Sequence, residues 1–89
     1  MPSVPIWVAV LYCSDRTFEK ITNDHGLDFL EVRRAVVCQK ALQVRRHTDN
    51  RGHRFIVTVG IGGRPMILVL FPDPDDVDVY HLATAYPDR

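Results

Sequence analysis

The stretch NDHGLDFLEV, Asn23 to Val32, ends one helix and starts another within ten residues. Upstream, Ser14 stands where an N-cap belongs and Asp15 brings negative charge to the first turn. Phe18, Ile21 and His25 then recur at i, i+3 and i+7, a spacing that predicts a helix over roughly residues 15–25. Gly26 suits the left-handed position that follows, and Leu27 can fold back on Ile21 or Thr22 in a Schellman-type stop. Asp28 and Glu31 form an Asp-x-x-Glu capping pair, after which Phe29, Val32, Val36 and Val37 make the apolar stripe of a second helix. With so short a turn between them, the two helices form a hairpin.

On either side of the hairpin the pattern reads as strand. Pro5 to Cys13 is an apolar run expected to form the first strand, with Trp7 in the core. After about Gln39 the period returns to two. ALQVRRH is a short alternating run and DNRGH a turn. HRFIVTVGI then puts Phe55, Val57, Val59 and Ile61 on one face and Arg54, Ile56 and Thr58 on the other. GGRP is the next turn, PMILVLF is apolar on both faces and so a central strand, PDPDD is an acidic loop, and VDVYHLATAY is the last strand. The expectation is a single α+β domain over residues 1–89 in the order β-α-α-β-β-β-β. The hairpin packs on one face of a mostly antiparallel twisted sheet, and the arginines lie on the other.

An 89-residue chain that is 46% apolar can bury a core of its own, and with 25% charged residues it is too apolar for disorder. Cys13 and Cys38 have no CxxC partner, and His25, His47, His53 and His81 do not form a spaced ligand set, so no metal and no cofactor is expected. Two free, core or half-core thiols in a reducing cytoplasm fit better than a disulfide. The run VPIWVAVLYC lacks a basic flank and is about half the length of a membrane helix. A cytoplasmic protein with no membrane segment is expected.

The formal charge is zero but unevenly spread. Residues 1–32 carry two cations against five anions, a net of −3; residues 33–64 carry eight against one, a net of +7; residues 65–89 carry one against five, a net of −4. Seven of the eight central cations are arginine, whose planar fork suits phosphate or carboxylate. Such a cluster either attracts a polyanion or pairs with the aspartates at the two ends.

No nucleophile elbow, P-loop, zincin motif or dinucleotide fingerprint is present. What remains is arginine or lysine for charge stabilisation and histidine or tyrosine for proton transfer, which is what metal-independent RNA cleavage requires. The ordered segments FEKITNDHGLDFLEV, RRHTDNRGHRF, GIGGRPMILVLF and VYHLATAYP, spanning about residues 16–87, resemble the BrnT-like branch of the RelE/ParE toxin superfamily. There a Lys-His-Gly turn, a Glu-Val or Glu-Ala helix, an Arg-x-x-Gly-x-x-Arg hairpin, a Gly-Arg turn and a strand ending in Ser/Thr-Ala-Arg follow one another.

The resemblance implies the toxin of a type II toxin–antitoxin system, an endoribonuclease held inactive by a cognate antitoxin, alone, as a homodimer or in a hetero-oligomer. It points to His25, Arg54, Arg64 and the end of the last strand as catalytic. This chain has Asp24 where the family has lysine and Tyr86 where it has arginine. Lys20, one turn earlier, and the phenol of Tyr86 are the groups able to take over. Arg45, Arg46, His47, Arg51 and His53, around the same hairpin, would bind RNA. Each has a plainer reading: His25 bonding the last carbonyls of its helix, Arg54 a solvated cross-strand residue, Arg64 a turn residue, His81 a satisfied core histidine and Tyr86 a seal on the sheet edge. A non-catalytic toxin, such as a gyrase-binding inhibitor, or an interaction domain on the same fold is the alternative function.

Overall fold

The computed structural model describes residues 3–39, 42–50 and 52–88, leaving aside the side chains of residues 3, 4, 43 and 49. The elements are β1 (Ser3–Ile6), β2 (Val10–Cys13), α1 (Asp15–His25), α2 (Phe29–Val36), β3 (Leu42–Asp49), β4 (Gly52–Ile61), β5 (Arg64–Pro72) and β6 (Val79–Pro87). The fold is α+β.

The helical hairpin forms through its caps. Ser14 Oγ accepts the Thr17 N–H at 3.2 Å, which opens α1. Gly26 closes it at φ +62°, a conformation that costs a residue with a Cβ about 1–2 kcal/mol. The Gly26 and Leu27 amides donate to the carbonyls of Thr22 and Ile21 at 3.1 Å, and Leu27 is buried, completing the Schellman stop. Asp28 Oδ1 then accepts the Leu30 N–H at 3.1 Å to start α2. Ile21, Val32 and Val36 are the fully buried residues that face the sheet.

The sheet has six strands in the order β1-β3-β4-β5-β6-β2, antiparallel except for the parallel pair β2–β6. The strand expected over Pro5–Cys13 is therefore two strands, on opposite edges of the sheet, and the observed order is β-β-α-α-β-β-β-β. Only four residue steps separate Ile6 from Val10, a reach of at most about 14 Å. Six strands laid flat would put the outer two about 24 Å apart. The sheet must curl until both edges come within reach of the N-terminal segment, with Val8 and Leu11 buried on the concave side. Trp7, expected in the core, is instead 41% exposed at the crossing.

One face supplies the core. Val44, Phe55, Val57, Ile61, Met66, Leu68, Leu70, Leu82 and Ala85 form one buried cluster with the helices' apolar residues. Burial of each large side chain contributes roughly 1.5–3 kcal/mol. β5 is central, as its two-sided apolar pattern predicts. Among the described residues no helix covers the opposite, outer face, where Ile56, Ile67 and Val69 are only half-buried. Cys13 is half-buried as expected, but Cys38 is exposed. Among the described residues no helix is long and apolar enough to cross a membrane.

Candidate functional site

Cross-strand register lines up one side chain from each of five neighbouring strands on the outer face. His47 of β3 is opposite Arg54 of β4. One step beyond the Phe55–Leu70 pair, Arg54 meets Phe71 of β5, which is opposite His81 of β6, which is opposite Tyr12 of β2. The rung is held by ring contacts. The Arg54 guanidinium lies 5.8 Å from the Phe71 centroid, Phe71 and His81 stack at 5.1 Å and 10°, and Tyr12 packs on His81 at 5.5 Å.

His81 reaches this face through a β-bulge. β5 and β6 pair Val69 with Thr84 and then Leu70 with Leu82, so β6 slips by one residue at Ala83. Without the slip, His81 would share the face of buried Ala85 and enter the core. With it, Leu82 turns inward and His81 outward. The expectation of a core histidine thus fails at the bulge: His81 is half-buried on the outer face.

Its Nε2 donates to Asp73 Oδ1 at 2.8 Å. Asp73 is fixed in turn, because its Oδ2 accepts the amides of Asp75 and Asp76, each at 3.0 Å. The hydrogen bond from His81, followed by the Asp75 amide, holds the Asp73 carboxyl below its ordinary value. This second contact fixes the imidazole's orientation and leaves Nδ1 as the nitrogen able to exchange a proton with a ligand. Ser14, Thr17, Arg54, Phe71 and His81 line an open depression of 380 Å³. A cation, an oriented imidazole and an aromatic surface thus line one depression, with the Tyr12 ring packed against His81 beside it. Together they can bind an anion, move a proton and stack a base.

Apart from Arg54, the residues singled out from sequence as catalytic do not join this rung. Arg64 is exposed at the far end of β5, paired with Ile61, seven residues along β4 from Arg54; that is about 24 Å. Tyr86 shares the outer face but sits in register with Ile67 and Thr58, four residues from Arg54, or about 13 Å. His25, half-buried, and Lys20, exposed, belong to α1, whose Thr17 lines the depression, but neither is among its lining residues.

The basic hairpin also splits across the two faces. Arg45, paired with Ile56, and His47 point outward with Arg54. Arg46 turns inward, its guanidinium 5.8 Å over Phe55, which meets Tyr80 edge-on at 5.6 Å. Burial, and then Asp78, push the Tyr80 phenol up. His53 shares a 3.1 Å hydrogen bond with Thr48. Arg51 lies outside the described residues.

Tyr12, Phe71 and His81 of the rung, and Asp73 that anchors His81, were not among the site residues expected from sequence, His81 having been read as a core histidine. The signal for Asp73 was present in Pro72-Asp73-Pro74, where a short carboxylate between prolines suits an Asx turn. Among the described residues no group of three or more acidic, histidine or cysteine side chains is arranged to hold a metal ion. No protein-family model, curated protein or solved structure matches the chain.

Proposed function

We propose that the chain is a metal-independent endoribonuclease, the BrnT-like toxin of a type II toxin–antitoxin pair of the RelE/ParE kind. It acts in the cytoplasm and is neutralised by a cognate antitoxin. The observation that carries this reading is the outer-face rung, in which Arg54 and the Asp73-oriented His81 flank Phe71. The helical hairpin on a mostly antiparallel sheet supports the family reading.

In this mechanism Arg54 holds the non-bridging oxygens of the scissile phosphate and stabilises the charge that grows on them. His81 Nδ1 takes the proton of the 2′-hydroxyl, the 2′-oxygen attacks phosphorus, and the P–O5′ bond breaks. The Tyr12 phenol gives its proton to the departing 5′-oxygen and recovers one from the His81 imidazolium. The products are a 2′,3′-cyclic phosphate and a free 5′-hydroxyl. Arg45 and His47, beside Arg54 on the same face, hold neighbouring phosphates. An acidic antitoxin segment laid over Arg45 and Arg54 would block the same surface.

A second reading, a non-catalytic inhibitor or interaction domain, draws on the half-buried Ile56, Ile67 and Val69 of the outer face, an apolar patch suited to a protein partner. The test is incubation of the purified chain with a short RNA in the presence of a chelator, beside the same RNA with 2′-deoxy sugars, together with growth after induced expression. Cleavage of the RNA alone, leaving cyclic phosphate ends, supports the nuclease. Growth arrest with intact RNA moves the reading to the binding inhibitor, and a folded protein that does neither leaves an interaction domain.

A further inference from the structure

The segment Trp7–Ala9 joins two features that are distant in sequence. On one side Val8 bridges to Val37, and its carbonyl accepts the Cys38 N–H at 2.8 Å, which brings up the end of α2. On the other side the Ala9 N–H donates to the Asp78 carbonyl at 2.8 Å, which brings up the acidic β5–β6 loop. Both therefore border one flank of the molecule. The α2 end offers a shallow groove of 300 Å³ lined by Leu30, Arg33, Arg34 and Val37. The loop offers Val77, 86% exposed, among the exposed carboxylates of Asp75, Asp76 and Asp78. Trp7 is exposed where the two meet.

The flank is thus cationic at one end, apolar in the middle and anionic at the other. Among the described residues none of these five charged side chains makes an ion pair within the chain. A partner of a single charge sign meets repulsion at one end, an acidic peptide or a nucleic acid at the aspartates and a basic segment at the arginines. A second copy turned by a two-fold axis matches both ends at once. We infer that the chain forms a two-fold homodimer through this flank, with Arg33 and Arg34 of each copy against Asp75, Asp76 and Asp78 of the other, and Trp7, Leu30 and Val77 buried between them. The outer-face rung takes no part, so the dimer stands independently of the ribonuclease reading.

The experiment is sedimentation or light scattering of the full chain over a concentration series, with two charge-reversed variants. One is Arg33→Glu/Arg34→Glu, acidic at both ends; the other is Asp75→Lys/Asp76→Lys, basic at both ends. All four positions are exposed, and thermal melting checks that each variant stays folded. The wild type is expected at twice 10.2 kDa, each variant alone at 10.2 kDa, and an equimolar mixture of the two at twice 10.2 kDa again, since a mixed pair restores attraction at both contacts. Raising the salt should dissociate the wild-type dimer. A wild type that stays monomeric up to about millimolar concentration, variants that dimerise alone, or a mixture that stays monomeric would each overturn the inference. So would binding of an acidic peptide or an RNA to the groove of a monomer.

Discussion

Replacing His81 by glutamine isolates proton transfer from architecture. Glutamine keeps an amide donor for Asp73, so the loop retains its anchor, but it exchanges no proton near neutral pH. The side chain is only half-buried and leaves the core cluster untouched. A positioned acid–base group contributes about a hundred- to ten-thousandfold in rate, or roughly 2.7–5.5 kcal/mol of barrier. Cleavage by His81→Gln should fall by that factor. Arg54→Ala should lose about a hundred- to a thousandfold, the cost of one charge-stabilising donor. Arg64→Ala should behave differently. Its strand position is about 24 Å from Arg54 along β4, whereas a catalytic group must come within about 3 Å of the atom it serves. Its effect on the bond-breaking step should stay within about threefold, and the same holds for His25→Gln, at the opposite end of α1 from Thr17 and outside the depression. The assay is single-turnover cleavage of a short RNA at saturating enzyme with chelator present, each variant being checked by thermal melting. Wild-type rates in His81→Gln, or equal losses in Arg64→Ala and His81→Gln, would refute the assignment of the rung.

Leu68→Ala removes a fully buried side chain from the central strand and should cost about 3 kcal/mol. For a domain of this size, that lowers the melting temperature by about 12–24 °C, measurable by circular dichroism. Asp73's carboxyl is held below its ordinary value by His81 and then by the Asp75 and Asp76 amides. Its contribution is therefore fully present above the ordinary carboxylate pKa of about 4 and is lost only as pH falls through the lower folded value. Amide exchange at Asp75 and Asp76 should stay slow relative to Asp73→Ala down to that point, and a loss of protection already near neutral pH would contradict it. The Cys13 thiol is pushed up by burial and, less, by Asp15, while Cys38 is exposed. Mass spectrometry after brief alkylation near pH 8 should find Cys38 modified first.

The helical hairpin was legible because its signals are local. Ser14, Gly26 and Asp28 each act on amides or carbonyls within five residues, so their side chains announce the caps before any tertiary contact exists. Strand faces were legible wherever alternation runs unbroken, as in β4, where Arg54 and Phe55 fall on opposite sides as read. Two tertiary effects stayed hidden. The split of Pro5–Cys13 follows from the curl of a sheet whose edges are built by later strands, and an apolar run carries no mark of where it must cross. The bulge at Ala83 reverses the parity of β6, so alternation counted back from the C-terminal end puts His81 inside. Since His81 and Asp73 are eight residues apart across a loop, no local spacing signalled their pairing.

Sheet connectivity accounts for the placement of the charges. In a meander successive connections alternate between the two ends, so the β3–β4 turn and the β5–β6 loop share one end while the β4–β5 turn before Arg64 takes the other. The strands joined by the first turn carry Arg45, Arg46 and Arg54, and the second connection carries Asp73, Asp75, Asp76 and Asp78. The rung runs between them, from His47 and Arg54 on the cationic side to His81 at the edge of the anionic loop. On the proposed ribonuclease reading, a phosphate backbone would be drawn towards β3 and β4 and repelled from the β5–β6 loop, which would set its phosphates on Arg54 and turn its sugars towards His81. The same loop supplies the carboxylate that orients the imidazole. That reading would let a neutral chain hold a polyanion in one orientation, because its opposite charges are separated across a single end of the sheet and His81 stands on the boundary.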